Sequence, residues 1–148
     1  MKRIFTMTPF LIGPIFLYNC IALSAGTLSA DSSMPIDKTL NAEVFSMTML
    51  SGGIWTFRLQ DLILLFALIA LFVELIKATS TRTESLVNHG LSIGLLLFCL
   101  LEFIVFDRFA SSTFFLLIIA ALLDVIAGFV ITTVAARRDI GVGHGIVS

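Results

Sequence analysis

The chain has 148 residues, 58% of them hydrophobic and 13% charged, and a formal net charge of −1; its mean hydropathy is +1.08. That length fits one domain and that hydropathy makes lipid its natural solvent, while the near-neutral balance excludes the basic field that nucleic-acid binding needs. The two cysteines, Cys20 and Cys99, lie in apolar runs without C-x-x-C or metal-ligand spacing, which reads as buried free thiols.

Four apolar runs predict an all-α membrane protein, a four-transmembrane-helix bundle with helices over about 4–25, 59–77, 82–106 and 109–136, each near the roughly 20 residues a spanning helix needs. The first run also has features of a signal peptide, because "MKR" precedes it and "ALSAGTLSA" offers a small-residue cleavage site. It is longer than the about 7–15 residues of a signal core, however, and Pro9, Pro14 and Asn19 suit a retained, kinked helix packed against neighbours.

Between the first two helices, residues 27–58 form the one sizeable extramembrane piece. Within it "VFSMTMLSGGIWTFRL" sets two alternating stretches rich in β-branched and aromatic residues around Gly52-Gly53. This predicts a short β-hairpin with a two-residue turn, with Trp55 and Phe57 on one side at the headgroup level; the alternative is an irregular loop anchored by Trp55. Between the second and third helices, "TRTE" at Thr81 to Glu84 matches a capping box and predicts the start of the third. After the fourth, residues 137–148 carry three glycines and no periodicity and are expected to be mobile, with His144 solvated.

Lys2, Arg3, Lys77, Arg82, Arg137 and Arg138 fall on one side of this arrangement and Lys38, Arg58 and Arg108 on the other. The excess puts both termini in the cytoplasm.

Charged side chains in hydrocarbon cost about 2.5–3.5 kcal/mol each at a helix centre, so each calls for a partner or a wet cavity. Asp124 sits in the middle of the fourth run, and its neighbours three and four residues away, Ala120, Ala121, Ala127 and Gly128, are all small; it should point at another helix. Glu74 shares a face with Ala67, Ala70 and Lys77. In the third helix Asn88, Ser92, Leu95, Cys99 and Glu102 make one mostly small or polar stripe.

Counting about 1.5 Å per residue sorts these groups by depth. Asp124, Glu74, Lys77, His89 and Ser92 are expected to form an inner polar cluster, and Glu102, Arg58, Asp61 and Arg108 an outer one. Linked, the two would be stations for protons or cations; taken apart, each is a structural polar knot. The separation of roughly 15 Å, with no acid between, favours the knots.

The segments "SGGIWTFRLQDL", "FVELIKATSTRT" and "DVIAGFVITTVAARRDI" together resemble a family of small bacterial inner-membrane proteins with four predicted helices and no assigned function. The resemblance implies a bacterial cytoplasmic membrane location and brings no catalytic or binding residues. Small multidrug transporters are similar in size and helix number, but they carry a working glutamate in the first helix, where this chain has none. Claudin-like proteins share a tryptophan in the outer loop, but "GGIWTF" lacks their paired cysteines.

No nucleophile with a nearby base and no ligand set for a metal or other cofactor stands out, so an enzyme is not expected. The expected partners are the lipid bilayer and either a second copy or another membrane protein. The leading expectation is a non-enzymatic membrane protein that self-associates or serves as an accessory subunit of a complex. The alternative is a small transporter or ion-conducting oligomer working through Asp124 and Glu74.

Overall fold

The computed structural model describes residues 8–28, 36–78 and 84–142. In chain order it has helix α1 (Ile12–Leu28), the short helix α2 (Ile36–Leu40), strands β1 (Glu43–Thr48) and β2 (Ile54–Arg58), helices α3 (Leu59–Ala78) and α4 (Glu84–Val105), a 3-10 turn (Asp107–Phe109), and helix α5 (Ser112–Val142). The chain is mostly helical. Three segments, Leu59–Ala78, Val87–Val105 and Ser112–Ile131, are long and apolar enough to cross a membrane.

The first helix differs from its expected span. It begins at Ile12, and its apolar part, Ile12–Ala25, is shorter than the other three. The cause is the placement of the prolines: Pro9 restricts the residue before it, and Pro14 falls in the first turn, where a missing N–H leaves no hydrogen bond unmade. They set the start of the helix and do not kink its middle. Residues 4–7 lie outside the described residues, as do Thr81 to Thr83 of the expected capping box and His144.

The hairpin forms, with antiparallel pairs running from Glu43↔Arg58 to Thr48↔Ile54 and an irregularity between Glu43 and Phe45. Its turn is longer than the expected two residues. Met49 N–H donates to the Gly53 carbonyl at 2.8 Å and Gly52 N–H to the Met49 carbonyl at 2.9 Å, enclosing Leu50, Ser51 and Gly52. Only Gly52 takes positive φ, +81°, the left-handed position that closes such a three-residue loop. On one face Phe45 stacks on Phe57 (5.1 Å between centroids) and meets Trp55 edge-on (5.5 Å). The hairpin is joined rigidly to α3: Leu59 N–H donates to the Ala42 carbonyl at 2.9 Å, and the Asp61 carboxylate caps the Arg58 N–H at 2.9 Å.

Helix α5 is the centre of the assembly. Both α3 and α4 pack along it, while α3 and α4 approach each other far less; α1 leans mainly on α3. Small side chains permit this closeness, Ala67 and Ala70 from α3 and Ala120 and Ala121 from α5 all being buried. Large apolar residues such as Phe16, Leu68, Phe72, Phe98, Leu101, Ile104 and Phe129 face outward, an arrangement that water would penalise and lipid would not. Cys99 is buried, but Cys20 lies exposed on the outer face of α1, contrary to the expectation that both are buried.

Ser111, just ahead of α5, caps it: its Oγ accepts from Phe114 N–H at 3.1 Å and shares a hydrogen bond with the Tyr18 hydroxyl at 2.6 Å. The 3-10 turn before it takes Phe109, so the helix begins at Ser112, three residues later than expected. At the other end the backbone stays helical to Val142, so residues 137–142 are helical where a mobile tail is expected. The residues after Ile131 include good helix formers, and each residue added to an existing helix makes one more hydrogen bond.

Candidate functional site

Glu74 is completely buried, and both of its carboxylate oxygens are engaged. Its Oε2 accepts from Phe10 N–H at 2.9 Å and from Lys77 Nζ at 3.3 Å; its Oε1 accepts from the Asn88 amide and lies 3.1 Å from Lys77 Nζ. Lys77 also donates to the Thr8 carbonyl at 2.8 Å and sits 4.9 Å above the Phe10 ring. One carboxylate thus ties the start of α1, the end of α3 and the beginning of α4 together. An acid so surrounded has its charge offset by Lys77 and its lone pairs filled by donors, the condition under which a buried ion pair is tolerated.

One face of α5 supplies the other half. Asp124 is buried and faces Ser92, with Glu74, His89 and Lys77 within electrostatic reach. One turn on, Gly128 leaves room for the His89 imidazole: a Cβ at Gly128 would fall 2.6 Å from His89 Nδ1. The structure therefore brings Glu74, Lys77, His89, Ser92 and Asp124 to one seam and adds Asn88. In this seam Asn88 Oδ1 is buried without a hydrogen-bond partner, and Ser92 Oγ is buried with no close one, its interaction being with the Asp124 carboxylate. Such atoms are few in folded proteins and each calls for an explanation.

The expected outer cluster is not one cluster. Glu102 is buried and accepts from Asn19 Nδ2 of α1 at 3.2 Å. Arg58 instead belongs to the hairpin junction, its guanidinium donating to Asn41 Oδ1 at 3.0 Å while Asp61 is taken up by the Arg58 backbone. Arg108 is exposed and shares with Glu102, Asn19 and Asp107 an open groove of about 480 Å³. Residue counting gives height along a helix but not direction around the bundle, and Arg58 and Glu102 look different ways.

Sequence reasoning missed the partners on α1. Asn19 is a polar residue in an apolar run, the same signal that singles out Asp124. The Tyr18–Ser111 pair is foreshadowed only by a hydroxyl just ahead of the last apolar run. Asn88 stood in the polar stripe of α4, one turn from Ser92, without being assigned a partner. Among the described residues, no three His, Cys, Asp or Glu side chains group in a way that holds a metal ion.

Comparison of the chain with known protein families, with characterised proteins and with solved structures gives no match.

Proposed function

We propose that this chain is a non-enzymatic integral protein of the bacterial cytoplasmic membrane that crosses it four times, with both termini in the cytoplasm, and that acts by associating with a second copy through α4. The observation that carries this reading is the state of Gly90 and Gly94. They lie four residues apart, both are exposed, and a Cβ added to either would meet nothing within 4 Å. Helix α4 rests on α5 and leaves this face open. In lipid, where apolar side chains gain nothing by leaving the solvent, two small residues one turn apart let helix backbones come close enough for packing to drive association. An accessory role in a larger complex would use the same face.

Native mass spectrometry and light scattering of the full chain in mild detergent test this. A dimer that becomes monomeric in Gly90→Leu/Gly94→Leu supports the reading. A parent protein that is already monomeric across a wide concentration range overturns it.

The competing reading, a small ion-conducting or transport protein, draws on Asp124 and on the buried Ser92 and Asn88 oxygens of the same seam. Glu74 argues against a continuous path, because its oxygens are engaged by Phe10, Lys77 and Asn88. Flux through reconstituted vesicles that Asp124→Asn abolishes, with the fold intact, would favour transport.

A further inference from the structure

We propose that Asp124, Ser92 Oγ and Asn88 Oδ1 form a binding site for one small monovalent cation, held in the seam between α4 and α5.

The donor set comes first. Ser92 is 2% exposed and Asn88 7%; Asn88 Oδ1 has no hydrogen-bond partner, and Ser92 Oγ, whose interaction is with the Asp124 carboxylate, has no close one and keeps acceptor lone pairs for a cation. The Asn88 amide cannot be turned to relieve this. Its nitrogen donates to Glu74, and reversing it would set an amide oxygen against a carboxylate, so the carbonyl oxygen is fixed as a free acceptor. Ser92 stands one turn further along α4, facing Asp124. A carboxylate, a hydroxyl and an amide oxygen are all hard oxygen ligands, suited to alkali and alkaline-earth ions and not to soft metals.

Charge then selects among such ions. Glu74 and Lys77 cancel, which leaves the Asp124 carboxylate as the uncompensated charge of the seam when His89 is neutral. A buried carboxylate without a counter-charge is costly. One positive charge restores neutrality; a divalent ion would leave an excess of opposite sign in the same place. The small residues Ala120, Ala121 and Gly128 flank the carboxylate on α5 and leave space in the seam beside it. The site is separate from the exposed Gly90–Gly94 face, so it does not depend on self-association.

Three other solutions compete: a proton on Asp124, a charged His89, or a bridging water. Thermal unfolding of the full chain in mild detergent separates them, with choline chloride replaced stepwise by NaCl or LiCl at constant ionic strength and fixed pH. The expected result is a saturable rise of the midpoint by a few degrees with Na⁺ or Li⁺. The rise should be lost in Asp124→Asn and in Ser92→Ala, and kept in Gly90→Leu/Gly94→Leu. Equilibrium dialysis with radioactive sodium should find about one ion per chain in the parent and none in Asp124→Asn. Ser92→Ala removes a single oxygen with little change of shape, so it remains informative if Asp124→Asn folds poorly. No response to Na⁺ and Li⁺, an equal response to choline, or a response that survives Ser92→Ala overturns the proposal. So does a midpoint that moves with pH between 5 and 8 but not with Na⁺, which would assign the charge to His89 or a proton.

Discussion

The Glu74 carboxylate accepts a hydrogen bond from the backbone N–H of Phe10 at 2.9 Å, so a residue near the end of α3 fixes where α1 begins. Lys77 reinforces the tie from the same helix through the Thr8 carbonyl. The order of events in sequence is inverted in space: the segment made first is held by a side chain made sixty-four residues later.

Removing one partner of this pair should cost more than removing both. Glu74→Ala leaves Lys77 without its counter-charge and Asn88 without an acceptor, and is expected to destabilise the protein by about 3–5 kcal/mol. Glu74→Ala/Lys77→Ala should recover part of that loss. Unfolding by denaturant in mixed micelles measures both, and strictly additive effects would show that the pair is not coupled.

Gly128→Ala tests the seat of His89. The new Cβ would lie 2.6 Å from Nδ1, so the imidazole or the helix must move, with an expected loss of about 1–3 kcal/mol. His89→Ala made in the same chain should restore most of it, because the obstacle is then gone. A Gly128→Ala protein with the parent's melting temperature would mean that the imidazole has another place to go.

Glycine is required at one hairpin position and not at its neighbour. Gly52 holds φ of +81°, so Gly52→Ala should weaken the hairpin by about 1–2 kcal/mol, whereas Gly53→Ala, where the nearest atom is Ser51 Oγ at 3.7 Å, should change it by less than about 0.5 kcal/mol. Amide exchange at Met47, Thr48 and Trp55 reports this locally. Equal effects of the two substitutions would contradict the turn described here.

Topology is tested with Ser51→Cys in a chain whose Cys20 and Cys99 are replaced by serine. On the proposed four-span topology Lys and Arg concentrate on the side away from the hairpin, so a membrane-impermeant maleimide should label it on intact spheroplasts. Labelling only after lysis would invert the assignment.

The long helices and the hairpin were legible because each is written in a pattern of one period: continuous apolar runs for α3, α4 and α5, alternation for β1 and β2. The height of Glu74, His89, Ser92 and Asp124 could be counted from helix ends in the same way. What a one-dimensional count does not contain is rotation: Arg58 and Glu102 lie at similar heights, but Asn41 takes the guanidinium and Asn19 the acid. The start of α1 was obscured for a different reason. Apolar residues continue through Pro9 and Pro14, and hydropathy does not register that a proline ring has no N–H. The turn at Gly52 is longer than a two-residue reading because two adjacent glycines look alike in sequence, while only Gly52 takes positive φ.

Helices α3 and α4 each lie along α5 and only lightly against one another. During synthesis both emerge before the helix they rest on. Until α5 arrives, Glu74 and Asn88 already have each other and Lys77, but His89 and Ser92 have no completed seam to enter, and α4 carries those polar groups at membrane depth without the helix they face. Assembly therefore waits on the last span, and a ribosome that stalls within residues 112–131 would leave an intermediate exposing those groups to quality-control proteases.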